Sequence, residues 1–369
     1  MTDLKSLSII ASVAAFSFAL ACAPVSDADV AQPPTESAAQ DTPAQHVDGA
    51  TQTVENDADA PSALEQSYVP APVVEEVFLP PDGEEDAISV PAVEDVQAQC
   101  SPSAKQGGLI VCKLPVGAVV KLDGKEVAIV DESQIATIGL KQDASTPAKI
   151  SWSQNGISHA GFEIPVSPRK DDYRELTGLD CDKVDARSEE QKAHASRSWV
   201  KKVAAFANLN APTTHEIAFL KPADGPYSSP FGPTRKYTGV SKVTGEACNS
   251  TSVHRGLDMA VPVGTDLIAP MGGTVVLADP DLYYEGGTIF LDHGYGLVSV
   301  FLHLSQVDVQ AGQVVKTGER MGATGNTGRT TGPHLHWAVK WRNTAREDRD
   351  GDFYIDPAIV LELGDLDLN

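Results

Sequence analysis

The stretch Pro333-His334-Leu335-His336-Trp337-Ala338-Val339-Lys340-Trp341 decides the fold of the C-terminal part of the chain. Its alternating pattern is typical of a β-strand, whose successive side chains point to opposite faces. That period places His334 and His336 on one face, where their rings can converge, and turns Leu335 and Trp337 toward a core. Paired neutral imidazoles are favoured ligands of zinc, although the stretch alone is equally consistent with two surface histidines.

A second segment, His254-Arg255-Gly256-Leu257-Asp258, holds a histidine and a carboxylate four residues apart. Gly256 and Pro262 favour a loop that enters a strand over a helix. Two histidines and one aspartate would leave zinc an open fourth position, which distinguishes catalytic from structural zinc sites. Zinc lowers the pKa of a bound water to about 7, so this ligand set would suit hydrolysis.

A general base for such a site has to come from a further histidine. The sequence has no His-Glu-x-x-His motif, which would supply the usual carboxylate base. One candidate is His303, in the segment Phe301-Leu302-His303-Leu304. The other is whichever of His334 and His336 does not bind the metal, and the spacing alone leaves the two open.

Together these segments resemble the motifs of the lysostaphin-type (LytM-domain) zinc endopeptidases, over about residues 219–360. As this resemblance implies, His254, Asp258 and His336 would be the ligands of Zn2+. His303 and His334 would be the two catalytic histidines, which orient water and stabilise the oxyanion. Further stretches resemble the family's motifs and turns, namely Ser229-Pro230-Phe231-Gly232 with Arg235, Ala260–Thr265, Leu291-Asp292-His293-Gly294 and Gly325-Asn326-Thr327-Gly328.

The resemblance also implies a fold, a substrate and an activity. The fold would be mainly β, with an antiparallel sheet that lines a narrow groove, and the substrate would be peptidoglycan stem or cross-bridge peptide. The alternative is a non-catalytic wall-binding regulator that activates a cell-wall amidase, which would not need His303 and His334. For Arg255 two roles stay open, contact with a substrate carboxylate or a purely structural role.

Two features depart from the family pattern. The connection from Lys236 to Val253 is longer than usual and carries Cys248, which predicts a differently shaped substrate groove. Phe301 stands where a tyrosine is common before the lone histidine. Neither departure removes a predicted ligand.

The N-terminus has the pattern of an export signal over residues 1–21. Lys5 gives a weak positive region, Leu7 to Leu20 is apolar, and Ala19-Leu20-Ala21 is a small-x-small cleavage site. With Cys22 it resembles the lipoprotein cleavage box, except that Ala19 replaces the usual leucine. We expect an exported protein of the cell envelope, either attached to the membrane through a lipidated Cys22 and facing the periplasm or simply secreted.

Residues 22–98 are predicted to be an acidic, disordered linker. Between residues 23 and 99 there are 17 acidic residues and no Lys or Arg, and they account for most of the net charge of −23. Such a segment cannot bury enough apolar surface to offset its chain entropy. The acidity also argues against a nucleic-acid partner.

The rest of the chain divides into three predicted parts. Residues 99–168 show short apolar runs with a hairpin signal at Asp123-Gly124, which predicts a small all-β domain. Residues 169–210 form a connector, with a helix that begins at the capping box Ser188–Gln191 and carries Trp199, Val203 and Phe206 on one face. Residues 211–369 form the predicted zinc peptidase domain.

Four cysteines remain after Cys22, an even number that favours two disulfides in an oxidising compartment. Three connectivities are possible among Cys100, Cys112, Cys181 and Cys248. The pairing Cys100–Cys112 with Cys181–Cys248 is the simplest, and the sequence does not decide among them.

Overall fold

A computed structural model describes residues 96–180, 188–214, 217–241, 245–346 and 351–365. The predicted signal peptide, Cys22 and all but the end of the predicted linker lie outside these ranges, as does Cys181. Across the part of the chain that is described, no helix has the length and apolar character needed to cross a membrane.

Nine strands form the N-terminal part of the described chain, in three small sheets with the orders β1-β3-β6, β5-β4-β7-β8 and β2-β9. The hairpin predicted at Asp123-Gly124 joins β4 to β5, and its two residues have φ of 49° and 82°, as a tight two-residue turn requires. The strands are β1 (Gln99–Cys100), β2 (Ala104–Lys105), β3 (Leu109–Lys113), β4 (Val119–Leu122), β5 (Lys125–Ile129), β6 (Ile135–Gly139), β7 (Ala148–Gln154), β8 (Ile157–Ile164) and β9 (Val166–Ser167).

One strand and one helix follow, β10 (Tyr173–Asp180) and α1 (Glu189–Ala205). The predicted capping box is confirmed, since the Ser188 side chain accepts from the Gln191 N–H and the Gln191 side chain accepts from the Ser188 N–H. The predicted apolar face of the helix is only partly buried, because Val203 is 36% exposed. The helix is instead buried through Ser198, Lys202 and Ala205.

The C-terminal part is built around an eight-stranded antiparallel sheet with the order β11-β14-β22-β18-β17-β16-β20, and β23 pairs with β22. The mainly β fold with an antiparallel sheet, expected from the sequence, is confirmed. Its elements are β11 (Tyr227–Ser229), β12 (Thr234–Val240), β13 (Ala247–Val253), β14 (Leu257–Met259), β15 (Asp266–Ile268), β16 (Gly273–Leu282), β17 (Gly286–Asp292), β18 (Leu297–Leu304), β19 (Gln306–Val307), β20 (Val314–Val315), β21 (Arg320–Ala323), β22 (Leu335–Trp341), β23 (Phe353–Ile355), α2 (Pro357–Leu361) and a 3-10 helix (Glu362–Asp365).

A smaller sheet lies beside this one and was not expected. Strand β10, from the predicted connector, pairs in parallel with β12, and β12 pairs antiparallel with β13. The hairpin β12–β13 is the long connection noted in the sequence, and β13 leads directly into His254.

The two faces of the large sheet pack against different partners. One face joins a core that is continuous with the N-terminal sheets, and the other packs against the end of α1. Members of the first core include Leu297, Phe301, Leu335, Trp337 and Trp341, and members of the second include Phe206, Phe290, Val300, Leu302 and Ala338.

Trp341 joins the large sheet to the N-terminal sheets. Its indole Nε1 donates to the carbonyl oxygen of Thr137, 3.2 Å away, and a Cβ added to Gly139 would lie 2.5 Å from its ring. A glycine is therefore required at position 139 for the ring to lie flat against the strand. The domain boundary placed at residue 168 from the sequence stays a prediction.

The structure contains the predicted disulfide between Cys100 and Cys112, which are directly opposite in the pair β1–β3. Cys248 in β13 is also disulfide-bonded. Its predicted pairing with Cys181 stays a prediction, because Cys181 lies outside the described residues.

Candidate metal centre and active site

Strand register brings the predicted metal ligands together. Asp258 in β14 lies directly opposite His336 in β22, so their side chains share one face of the sheet. His254 lies just before β14, and its backbone is held by the loop of residues 230–233. The three side chains are buried, with 1%, 1% and 4% exposure for His254, Asp258 and His336.

The ligand atoms of the three residues converge on one point. His336 Nδ1 lies 2.8 Å from Asp258 Oδ1, His254 Nε2 lies 3.2 Å from the same oxygen, and the two ring nitrogens are 3.4 Å apart. All the ligand atoms fall within 4.8 Å of one another. This is the only such cluster of three histidine, cysteine or acidic side chains among the described residues.

The chemistry of this cluster fits a divalent cation. Asp258 Oδ2 is buried and has no hydrogen-bond partner, which is costly for a carboxylate oxygen unless a cation balances it. Burial alone would raise the pKa of Asp258, but His254 and His336 outweigh it and hold the pKa well below its ordinary value. Two imidazole nitrogens and one carboxylate oxygen match the donor set of catalytic zinc sites.

His254 is oriented by a carbonyl group on its outer side. Its Nδ1 lies 2.6 Å from the carbonyl oxygen of Pro230, and since a carbonyl only accepts, Nδ1 carries the proton. The Nε2 lone pair is then left to face the cluster. A hydrogen bond of this kind fixes both the tautomer and the ring orientation of a metal-binding histidine.

His303 reaches the cluster through a β-bulge. In the pair β17–β18, Phe301 lies opposite Ile289 while Leu304 lies opposite Gly287, so β18 has one extra residue in this interval. His303 has φ of 66°, a left-handed conformation that is uncommon for residues other than glycine. Phe301 is fully buried on the opposite side of the sheet, in the core that also contains Trp337.

His303 and His334 are oriented alike. His303 Nδ1 lies 2.9 Å from the carbonyl oxygen of Thr327, and His334 Nδ1 lies 2.8 Å from that of Gly332. Each Nδ1 therefore carries the proton, and each Nε2 is an acceptor. The two ring centroids are 4.9 Å apart, and His334 Nε2 lies 4.0 Å from Asp258 Oδ1.

Burial keeps His303 neutral. Burial, followed by the neighbouring His334 and His336, lowers the pKa of His303 to about 3. The pKa of His336 is also lowered, chiefly by burial and against the effect of Asp258. Both rings are therefore neutral at neutral pH, as a metal ligand and a proton acceptor have to be.

Arg255 follows His254 in the chain and is half-buried. Burial lowers the pKa of its guanidinium, against a smaller opposing effect of Tyr354 in β23. The predicted contact with a substrate carboxylate stays a prediction.

Sequence reasoning missed the groups that hold His303 in place. The N–H of His303 donates to the carbonyl oxygen of Glu285, 2.8 Å away, in the turn between β16 and β17. The Glu285 carboxylate forms a buried ion pair with Lys202 of α1, with side-chain exposures of 3% and 4%. Neither residue belongs to a recognisable motif, so only the structure could reveal the pair.

His293, in the turn that follows β17, is fully buried. Its Nδ1 lies 3.0 Å from the Gly272 carbonyl oxygen and its Nε2 lies 2.7 Å from Ser299 Oγ. Ser299 Oγ in turn accepts from Trp337 Nε1 at 3.1 Å. These bonds join the turn to the strand that carries His336.

Comparison with known proteins agrees with this geometry. Residues 252–348, which contain the three candidate metal ligands as well as His303 and His334, match the model of Peptidase family M23. The chain therefore contains a domain of Peptidase family M23, as the resemblance to LytM-domain enzymes predicted.

Two curated relatives show the extent of the similarity. An uncharacterized metalloprotease of Haemophilus influenzae is 44% identical over 113 residues, which cover 30% of this chain and 22% of that protein. The peptidoglycan DD-endopeptidase ShyA of Vibrio cholerae is 38% identical over 112 residues, which cover 30% of this chain and 24% of that protein. The chain thus matches less than a quarter of the length of either relative.

Among solved structures, a putative peptidase M23 from Pseudomonas aeruginosa is 30% identical to this chain. The superposition covers 71% of this chain and 95% of that one, with a TM-score of 0.47.

Proposed function

We propose that this protein is a zinc-dependent endopeptidase that hydrolyses peptide cross-links or stem peptides of bacterial peptidoglycan. The observation that supports the proposal most is the pair His303 and His334, whose rings lie beside the ligand cluster without belonging to it. Their ring centroids are 4.9 Å apart, and that of His303 is 6.3 Å from that of His336. A protein that only binds the wall has no need of two additional oriented imidazoles. The names of the relatives ShyA and ShyB of Vibrio cholerae, both peptidoglycan DD-endopeptidases, support the wall peptide as substrate.

The metal would be held by His254 Nε2, His336 Nδ1 and the Asp258 carboxylate. When bound, zinc supplies Lewis-acid chemistry, since it polarises a carbonyl and makes water more acidic. The buried carboxylate and the two neutral rings leave a net single negative charge on the protein ligands. That charge suits a divalent cation and leaves it electrophilic.

The two remaining histidines would move the proton. The Nε2 of neutral His303 or His334 accepts a proton from the attacking water, and the resulting Nε2–H can donate to the developing oxyanion. The same proton is then delivered to the nitrogen of the leaving amine. The overall reaction adds one water across one amide bond, and both histidines return to their neutral state.

We also propose that the protein acts in the cell envelope, attached through a lipidated Cys22. The support is the apolar segment and cleavage site of residues 7–21, followed by the acidic segment. The mass of the N-terminal peptide of the protein purified from membranes tests this. A diacylated or triacylated Cys22 would support the anchor, and an unmodified Cys22 at the N-terminus would support simple secretion.

Digestion of purified peptidoglycan by the full chain tests the activity, with product masses as the readout. The proposal predicts that cross-linked dimers become monomers that retain their sugars, and that a zinc chelator abolishes the conversion. The alternative, an amidase activator, predicts no products from the chain alone and release of whole peptides from sugar when an amidase is added.

A further inference from the structure

Arg169 lies just after β9, at the end of the N-terminal sheets, and its side chain is only 9% exposed. Its guanidinium donates to three oxygens in different parts of the chain, namely Asp171 Oδ1 at 2.5 Å, Asp356 Oδ2 at 2.6 Å and the carbonyl oxygen of Phe231 at 2.5 Å. It also lies over the Phe231 ring, 5.0 Å from the centroid. Arg169 therefore holds both the backbone and the side chain of Phe231.

Phe231 belongs to the loop of residues 230–233, which contacts His254 at three points. The carbonyl oxygen of Pro230 accepts from His254 Nδ1, 2.6 Å away. The N–H of Gly232 donates to the His254 carbonyl oxygen at 2.8 Å, and the His254 N–H donates to the Pro233 carbonyl oxygen at 3.0 Å. The loop fixes both the backbone and the ring of this candidate ligand.

We propose that Arg169 is a positioning residue for the metal centre, which sets the orientation of His254 through the loop of residues 230–233. Its contacts are with Asp171, Asp356 and Phe231, so it acts on the cluster only through Phe231. The inference rests on the proposed zinc site. It assigns the N-terminal part of the chain a role in metal binding, because Arg169 lies outside the matched segment of residues 252–348.

The surroundings of Arg169 show why an arginine is needed there. A guanidinium presents several N–H groups in a rigid plane, so one side chain can bind three oxygens in fixed directions, which a lysine cannot do. The carboxylates of Asp356 and Asp171 raise the pKa of Arg169 despite its burial, so it remains charged. Asp356 is itself fixed as the N-cap of α2, where its Oδ1 accepts from the Ala358 N–H.

Close packing at Gly232 makes the loop sensitive to this contact. A Cβ at Gly232 would lie 2.2 Å from Asp171 Oδ1 and 2.8 Å from Arg169 Nη2, and the residue has φ of 108°. The loop backbone thus lies directly against the arginine and its carboxylate partner. A change in the position of Arg169 is transmitted to Pro230 and Gly232 on either side of Phe231.

The test is the zinc affinity of the full chain, measured by competition with a chromogenic chelator at a temperature well below unfolding. Loss of an outer-shell partner typically weakens metal binding 10- to 100-fold, and for Arg169→Gln we expect a loss of about tenfold. Arg169→Lys keeps the charge but cannot bind all three oxygens, so a smaller loss of about threefold is expected. Because it retains the buried charge, this variant also keeps the test valid if Arg169→Gln does not fold.

Arg320→Gln is the matched control. Arg320 also binds two carboxylates, Asp266 and Asp308, but it is 42% exposed and makes no contact with the loop of residues 230–233. Its substitution should leave zinc affinity unchanged.

Three outcomes are informative. Weaker zinc binding in both Arg169 variants, with the Arg320 variant unchanged, supports the inference. Equal zinc affinity in folded Arg169→Lys or Arg169→Gln and in the unsubstituted chain overturns it and leaves a purely structural role. If the unsubstituted chain binds no zinc and His254→Ala makes no difference, the proposed zinc site itself fails.

Discussion

The backbone N–H of His303 donates to the carbonyl oxygen of Glu285 over 2.8 Å, at the point where His303 adopts a φ of 66°. The bond holds an uncommon backbone conformation in a β-bulge, and the bulge turns the imidazole toward the ligand cluster. Residues held in sparsely populated conformations cost about 1–3 kcal/mol each and are found where surrounding structure enforces them. The turn that carries Glu285 is in turn attached to α1 by Lys202.

Replacement of His303 by asparagine should separate stability from activity. Asparagine tolerates the left-handed conformation better than histidine, so we expect His303→Asn to unfold at the same denaturant concentration as the unsubstituted chain or a higher one. Loss of a general base should reduce peptide hydrolysis by about 10²- to 10⁴-fold. His303→Val, which is β-branched, should unfold markedly earlier, and equal stability of the two variants would contradict the strained backbone.

Lys202→Met should be strongly destabilising. It leaves the carboxylate of Glu285 buried without its cation, and breaking a buried ion pair in this way typically costs about 3–5 kcal/mol. Urea unfolding measures the change. The double variant Lys202→Met with Glu285→Gln should recover a large part of the loss, because the uncompensated charge is gone.

The neighbouring Lys201 provides the control for that experiment. It pairs with Asp279 at 2.5 Å, but its side chain is 52% exposed. Lys201→Met should therefore cost no more than about 1 kcal/mol. A similar loss of unfolding free energy in Lys202→Met and Lys201→Met would show that the buried Lys202–Glu285 pair contributes no more to stability than the exposed pair.

Gly256→Ala should disturb the metal centre directly. A Cβ at this position would lie 2.5 Å from both Cε1 and Nε2 of His336, and 2.8 Å from the Trp337 carbonyl oxygen. Since His336 would have to move, we expect zinc affinity to fall by about tenfold or more. The control is Gly332→Ala, in the loop before β22. A Cβ at Gly332 would have no atom within 4 Å, so this variant should bind zinc as tightly as the unsubstituted chain.

The buried ring of His293 should make the free energy of unfolding depend on pH. Burial lowers its pKa to about 4 in the folded protein, against an ordinary value near 6.5. Between about pH 4 and 6.5 the His293 ring is protonated in the unfolded chain and neutral in the folded protein. The contribution of His293 to stability is therefore fully present above about pH 6.5 and is lost as the pH falls toward 4. The size of the loss from this group is about 3 kcal/mol.

Urea unfolding at pH 7.0, 5.5 and 4.5, with a chelator present throughout, measures this dependence. His293→Gln removes the titrating group, so the gap between its free energy of unfolding and that of the unsubstituted chain should narrow as the pH falls. A gap that is constant over this range would refute the assignment of the dependence to His293.

The parts of the site that obey simple strand geometry could be predicted from the sequence. The period of two in Leu335–Trp341 places His336 on the face opposite Trp337, and the structure confirms this. The hairpin at Asp123-Gly124 and the capping box at Ser188 are likewise local signals. In each case the residues that decide the conformation are adjacent in the chain.

The remaining parts depend on contacts between distant segments. A period of two through Phe301–Leu304 would place His303 on the same face as Phe301, in the core, and only the bulge reverses this. The pairing of β10 with β12 joins segments about 60 residues apart, and the buried Lys202–Glu285 pair looks in the sequence like two ordinary surface residues. No local pattern encodes such contacts.

The most direct test of the central claim is the mass spectrum of a purified cross-linked muropeptide dimer incubated with the zinc-loaded full chain. We predict two monomers whose combined mass exceeds that of the dimer by one water. His303→Asn and His334→Ala should bind zinc stoichiometrically and cleave at least about 10²-fold more slowly. An intact dimer despite stoichiometric zinc, or undiminished cleavage by both variants, would contradict the account.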